Sequence, residues 1–246
     1  MNKLLDQKST GNRIAGVLFD KDGVLVDFHA TWEPATARAI RHVARDADQA
    51  RALAKAVDFD LDAERFAPTS VFIAGTASDS MEAWSSVPGA DPSIARRISD
   101  HILVGGVECV VAPPEVPVAI RALRAMGLPL GIATNDQEGS ARDQMARLDL
   151  TDLFETINGA DSGHGGKPGP GMILAFSAYL GVEPSRIVMV GDSTHDLHAA
   201  KAAGAIRVAI GTGPASLDDL APHADHTIET MAGLPGLIAR LNSQYG

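Results

Sequence analysis

The sequence predicts an α/β protein: a Rossmann-like three-layer core with a central parallel sheet, plus an inserted α-helical cap domain. Three observations predict it. From residue 113 onward, short apolar runs alternate with helical periodicity, the pattern of parallel strands joined by helices. One further apolar run, residues 14–19, stands alone near the start. Between the two, residues 28–112 carry helical spacing, so the alternation breaks once, directly after its first strand, and then resumes. The chain of 246 residues therefore divides into a core, residues 1–27 and 113–246, and a helical insertion, residues 28–112.

Residues 14–19 form a short apolar run that stops at Asp20-Lys21-Asp22-Gly23, the form of a buried strand. Residues 31–46 place Trp32, Ala35, Ala39, Val43 and Ala47 three to four apart, a helical stripe. Residues 48–57, 76–86 and 91–103 read as further helices, with Asp91 and Thr76 or Ser78 as capping residues and Pro92 in a first turn. Only residues 71–74 interrupt this segment with a strand-like run. Asp58, Asp60 and Asp62 alternate like the start of a calcium loop, but the sixth place is Ala63 and the twelfth Thr69, so the calcium reading fails.

In the second half, residues 115–126 form a helix closed by Gly127, and residues 128–133 a strand ending in Thr134-Asn135-Asp136. A helix over 140–148 and a strand over 153–157 follow. Residues 171–180 form a helix closed by Gly181. Residues 186–190 form a strand ending in Gly191-Asp192, residues 197–203 a helix closed by Gly204, and residues 205–210 a strand.

Three strands thus end in acidic or hydroxyl residues. In an open α/β sheet the ligand site lies off the carboxyl ends of the strands, so these residues converge on one crevice. Asp20, Asp22, Asp192 and Asp196 would repel one another there unless some are protonated or a cation holds them. Oxygen-only ligation favours Mg²⁺ over zinc. Singly, each stretch also reads as a turn or a helix cap. Their conjunction, each at a strand end, carries the chemical reading.

These residues resemble the four motifs of the haloacid dehalogenase superfamily, in the form with a helical cap after the first strand. The matching stretches are Leu18-Phe19-Asp20-Lys21-Asp22-Gly23-Val24-Leu25, Ile132-Ala133-Thr134-Asn135, Gly166-Lys167-Pro168 and Gly191-Asp192-Ser193-Thr194-His195-Asp196, in order. The organisation looks most like phosphoglycolate phosphatase-like members. The resemblance implies a phosphatase acting on a small phosphate ester through an aspartyl-phosphate. It makes Asp20 the nucleophile and Asp22 the general acid/base. A second Asp at that place points away from dehalogenase and phosphonatase chemistry. The resemblance gives Mg²⁺ to Asp20, the Asp22 carbonyl, Asp192 and Asp196. It gives the phosphoryl oxygens to Lys167, Thr134, Asn135 and the loop amides of Asp22 and Gly23. A phosphomutase of the β-phosphoglucomutase type would use the same aspartyl-phosphate. A non-catalytic binding protein is the third reading, and it has no need of an intact Asp20, Asp22, Lys167 and Asp192.

Composition sets the outer limits. With 21 Lys+Arg against 31 Asp+Glu the net charge is −10, which speaks against nucleic-acid binding. Aromatics at 4% leave little for a base-stacking platform. The single cysteine, Cys109, excludes an internal disulfide. Residues 1–13 are polar, without the apolar centre of a signal peptide, and no apolar run is long enough to span a membrane. A cytoplasmic protein is the expectation; oligomeric state is not readable. Specificity is expected from the insertion, with Trp32, Arg65, Thr69, Ser70 and Thr76 as candidate contacts. The insertion would hinge at residues 26–31 and 111–115, the second stiffened by Pro113-Pro114.

Overall fold

The computed structural model describes residues 14–74 and 77–243; residues 1–13 and Thr76 lie outside the described residues. The chain opens with β1 (Gly16–Phe19). The insertion follows as α1 (Phe28–Val43), α2 (Ala47–Ala56), β2 (Phe59–Asp60), β3 (Arg65–Phe66), α3 (Val71–Ala74), α4 (Ala77–Ser85) and α5 (Ile94–Glu108). The remainder runs α6 (Glu115–Ala125), β4 (Leu130–Ala133), α7 (Glu138–Arg147), β5 (Thr156–Asn158), α8 (Gly171–Leu180), β6 (Ile187–Gly191), α9 (Thr194–Ala203), β7 (Ile206–Ile210), α10 (Leu217–Leu220), β8 (His226–Ile228) and α11 (Leu234–Ser243).

Six strands form one parallel sheet in the order β5-β4-β1-β6-β7-β8. Side chains alternate across it. Val17 and Phe19 join a buried cluster with Ile120 and Leu123 of α6, Met145 of α7 and Ile238 of α11. Leu18 faces the other way, into a cluster with Met172 and Phe176 of α8 and Ala199 of α9. Both faces of the sheet are covered, which is why its strands read as continuous apolar runs. The connection reverses direction between β1 and β6. That is the switch point where an open parallel sheet leaves a crevice.

The insertion packs around a core of its own, with Trp32, Ile40, Leu53, Phe59, Phe66, Trp84 and Ile98 buried together. Its two linkers are joined: Asp27 N donates to Val111 O at 2.8 Å, and Val111 N donates to Thr31 Oγ1 at 3.1 Å.

Several expectations from the sequence are corrected here. α1 starts at Phe28 because Asp27 caps it, accepting from Ala30 N. α5 runs past Leu103 to Glu108. Gly105 and Gly106 do not break it; they bring it close against α1, where a Cβ on Gly106 would lie 2.4 Å from the Trp32 ring. Residues 71–74 form a helical turn, because Ser70 Oγ accepts from Phe72 N and Ser70 O from Ile73 N. The acidic alternation at residues 58–62 belongs to the β2–β3 hairpin, where Asp60 Oδ1 accepts from the amides of Asp62 and Ala63. β8, α10 and α11 had no counterpart in the sequence reading.

The edge of the sheet carries a pH-dependent clamp. Arg207 of β7 donates from Nε and an Nη to the two oxygens of Asp225, whose Oδ2 also accepts from Arg207 N. The hydrogen bond from Arg207 holds the Asp225 carboxyl below the usual carboxylate range. A depressed pKa means the folded state favours the anion. The clamp is therefore fully present above the unfolded value of about 4 and fades as pH falls through the lower folded value. Because Asp225 is partly exposed, Asp225→Asn is expected to lower stability by only about 1 kcal/mol at pH 7. Urea unfolding of the two proteins should show that gap closing below pH 4 or so.

Candidate active site

The loop after β1 places two carboxylates in opposite directions. Val24, Leu25 and Val26 all donate backbone N–H groups to Lys21 O, which winds residues 21–26 into a compact turn. Gly23 sits at φ +76°, and a Cβ there would lie 2.2 Å from Asp192 Oδ2, so no other residue fits between the two loops. Gly23 N donates to Val26 O at 2.8 Å. In this conformation the amide that was expected to serve a phosphate has its hydrogen in the turn. Thr212, in the loop after β7, donates to Gly23 O at 2.6 Å and ties the turn down.

Asp20 faces Asp192 and Asp196. All three are buried, and one oxygen from each lies within 4.8 Å of the others. Lys167 Nζ lies 2.7 Å from Asp20 Oδ1 and 2.5 Å from Asp196 Oδ1. Asn135 holds the lysine's backbone from both sides: its Oδ1 accepts from Lys167 N at 2.8 Å and its Nδ2 donates to Lys167 O at 3.0 Å. Asn135 was expected only as a phosphate donor; its side chain is a clamp on the lysine. The Lys167–Pro168 peptide is cis. Thr134 is buried at the end of β4, its Oγ1 accepting from Asp136 N at 3.1 Å.

Asp196 has a structural task besides. It is the third residue of α9, and its Oδ2 accepts from the Ser193 amide and hydroxyl while Ser193 Oγ caps the helix. Its other oxygen meets Lys167. Asp192 forms no ion pair among the described residues. Burial pushes Asp20 up to about 7, against the pull of Lys167 and with Asp196 and Asp22 adding to the rise. Burial also drives Asp192 well above the carboxylate range, helped by Asp20 and Asp196. Burial opposes the Lys167 charge, but the Asp196 and Asp20 carboxylates outweigh it and the ammonium is held. Three carboxylates against one cation make an electron-rich oxygen set that suits a hard divalent cation.

Asp22 points toward the insertion. Lys21 Nζ approaches both its oxygens, at 2.8 and 2.7 Å, and Trp32 Nε1 of α1 donates to Oδ1 at 2.7 Å. Lys21 is fully buried. It also donates to Gln144 Oε1 of α7 at 2.6 Å, lies 3.3 Å from Asp136 and sits 5.1 Å from the Trp32 ring centre. Gln144 Nε2 in turn donates to Gly106 O of α5 at 3.0 Å. Burial opposes the Lys21 charge, and Asp22 and Asp136 more than offset it. Lys21 and Gln144 were given no role from the sequence, and Asp136 was read only as a cap of the following helix. The signal for Lys21 was a lysine between two aspartates at the end of a buried strand.

Among the other candidates, Trp32 reaches the site. Arg65 is exposed in β3, and Thr69 and Ser70 bond within the insertion, Thr69 Oγ1 donating to Asp58 and Ser70 Oγ to Val57 O. His164 and His195 are exposed.

In this three-layer parallel α/β fold the buried triad of carboxylates and one lysine lie at the switch point, the place where an open parallel sheet takes its ligand. A family model described as haloacid dehalogenase-like hydrolase matches residues 14–204. The chain belongs to that family. A phosphoglycolate phosphatase of Neisseria meningitidis is 38% identical over 100 residues, 41% of this chain and 43% of the relative. One from Chromobacterium violaceum is 38% identical over 125 residues, 51% of this chain and 55% of the relative. The chain thus spans about half the length of these curated relatives. Among solved structures, a predicted phosphoglycolate phosphatase from Haemophilus somnus superposes with a TM-score of 0.70 at 18% identity, covering 92% of this chain and 98% of that one. A family hydrolase from Deinococcus radiodurans with bound phosphate and sodium superposes at 0.67 with 23% identity, covering 93% and 96%. These structures share the fold.

Lys21 is the buried cation on which Asp22 and Asp136 both depend. Lys21→Met is expected to cost about 3–5 kcal/mol, because it leaves two carboxylates without their partner. Trp32→Phe removes one hydrogen bond to a charged group and is expected to cost about 2 kcal/mol. Urea unfolding of the three proteins measures both. A Lys21→Met loss of under about 1 kcal/mol would remove the buried pair from the account.

Proposed function

We propose that the protein is a Mg²⁺-dependent phosphomonoesterase that acts on a small organic phosphate through an aspartyl-phosphate on Asp20. The observation that carries this reading is the pairing of Lys167 with both Asp20 and Asp196 inside a buried acidic triad. It leaves one carboxylate anchored by a cation at the place where a phosphoryl group would enter. The curated relatives named phosphoglycolate phosphatase support the reaction class.

In this reading an oxygen of Asp20 attacks phosphorus, and the ester P–O bond breaks as the new bond forms. Lys167 draws off charge from the phosphoryl oxygens as a point cation. Thr134 Oγ and the Asn135 amide donate to the same group. Asp22 hands a proton to the departing alkoxide and then takes one from the water that hydrolyses the aspartyl-phosphate, regenerating Asp20 and releasing inorganic phosphate. Lys21 and Trp32 orient Asp22. The metal, held by Asp20, the Asp22 carbonyl, Asp192 and Asp196, would offset the repulsion between an anionic nucleophile and an anionic substrate. The helical insertion, residues 28–112, acts as the cap that excludes water during attack. A phosphomutase would keep the same first step but return the phosphoryl group to a second hydroxyl. Isomerised hexose phosphate without free phosphate would mark it.

Phosphate release from small esters is expected only with Mg²⁺ present. Asp20→Asn should abolish it, and full activity in that variant would overturn the nucleophile. Asp22→Asn should slow turnover by about 10²–10⁴-fold. Independently of activity, Mg²⁺ at about 100 times its Kd should stabilise the protein by about 2.7 kcal/mol. Thermal unfolding with and without the ion tests this, and Asp192→Asn should remove most of the gain.

A further inference from the structure

The part of the site left unassigned is the cavity on the far side of Asp22. It has a volume of about 190 Å³ and lies between the core and the insertion. Phe28, Trp32, Phe72, Trp84, Ile102 and Leu103 supply most of its wall. Asp22 and Asp136 supply the core side. Among the described residues, no Arg, Lys or His lines it.

Its position identifies the occupant. Asp22 is the residue proposed to protonate the leaving oxygen, and it lies on the cavity wall. Whatever departs from phosphorus on that side enters this space. Size and polarity then restrict its chemistry. Apolar cavities of about 150 Å³ accept a benzene ring, so an aryl or branched alkyl group fits. Charge works against an acid. Lys21 lies 2.7 Å from Asp22 and 3.3 Å from Asp136, so its charge is already engaged by the core. A carboxylate on the leaving group would be buried there with no free cation in the wall to receive it. Trp84 is buried, and among the described residues its indole N–H has no hydrogen-bond partner. The hydroxyl-bearing residues Ser80 and Ser99 complete the wall.

We propose that the alcohol released by this protein is uncharged and mainly apolar, of benzyl size, and that it occupies the cavity between Asp22 and Trp84. The inference rests on the phosphomonoesterase reading and narrows its substrate class, away from the carboxylate-bearing substrate that the relatives' name suggests.

The test is Mg²⁺-dependent phosphate release from benzyl phosphate, methyl phosphate and 2-phosphoglycolate. None of the three has an activated leaving group. Benzyl phosphate is expected to exceed the other two in kcat/KM by about tenfold or more, the discrimination an apolar pocket supplies. Ser99 also lines the cavity. Ser99→Phe fills it and should lower the benzyl-to-methyl ratio by about tenfold. The ratio is read within one preparation, so partial unfolding moves both rates together. Equal or faster release from 2-phosphoglycolate, or a ratio untouched by Ser99→Phe, would overturn the inference and leave the phosphomonoesterase standing. No release from any ester, including para-nitrophenyl phosphate, would overturn the phosphomonoesterase reading and this inference with it.

Discussion

The structure depends on one buried ammonium group, that of Lys167. Asp20, Asp192 and Asp196 are brought together because the neighbouring parallel strands β1 and β6 end side by side and α9 starts directly after β6, and backbone geometry alone would leave three like charges in a dry site. Lys167 touches two of them. Its own position is not left to a flexible loop, since Asn135 holds its backbone by both N–H and C=O. The Lys167 loop, the β4 end and the α9 N-terminus are therefore one electrostatic unit. Asp196 joins them, capping α9 with one oxygen and meeting the lysine with the other. Burial, with the neighbouring carboxylates adding to it, keeps Asp20 and Asp192 raised in pKa, and the excess of carboxylates over cations makes the cluster a fit for a divalent cation.

A second buried lysine, one residue along from Asp20, does for the insertion what Lys167 does for the core. Lys21 meets Asp22 and Asp136, and through Gln144 it connects to the α5 backbone at Gly106. Trp32 completes the link from α1. The insertion is thus attached to the core through the residue proposed as acid/base. Removing one member of such a network costs more than the network contributes as a whole, because the orphaned charge stays buried. The contacts that hold the insertion against the core are the same contacts that orient Asp22. Two lysines divide the loop after β1 between them: Lys167 takes the carboxylate facing the core, and Lys21 the one facing the insertion.

What the sequence made legible follows from how local each signal was. Asp20, Thr134 and Asp192 each follow an apolar run directly, so strand periodicity and strand end could be read in one window. The helices closed by Gly127, Gly181 and Gly204 ended where a left-handed residue was needed. β8 is three residues with a half-exposed face, too short to alternate visibly, and α11 hides behind Leu234-Pro235-Gly236. Proline is tolerated there because the first turn has no donor to lose. The insertion resisted reading for a different reason. Gly105 and Gly106 look like breakers in sequence, and only the partner helix turns them into a close contact. Lys21 shows the same limit. Its neighbours in sequence are aspartates, but Gln144 lies 123 residues away.

Polarity separates the two sides of the site in a way that bears on chemistry. On the core side Asp20 faces Asp192, Asp196 and Lys167. On the insertion side the wall is mainly aromatic and aliphatic, and buried or partly buried. An apolar lid lowers the local dielectric, which strengthens the interactions of Lys167 with whatever anion lies against Asp20. Among the described residues, the wall on that side holds no Arg, Lys or His. In the proposed reaction the phosphoryl group is therefore held from the core, by Lys167, and the shape and apolarity of the insertion discriminate among esters. Changes in α1, α4 or α5 that keep Trp32 on Asp22 would, on that proposal, retune the substrate without disturbing the charges around Asp20.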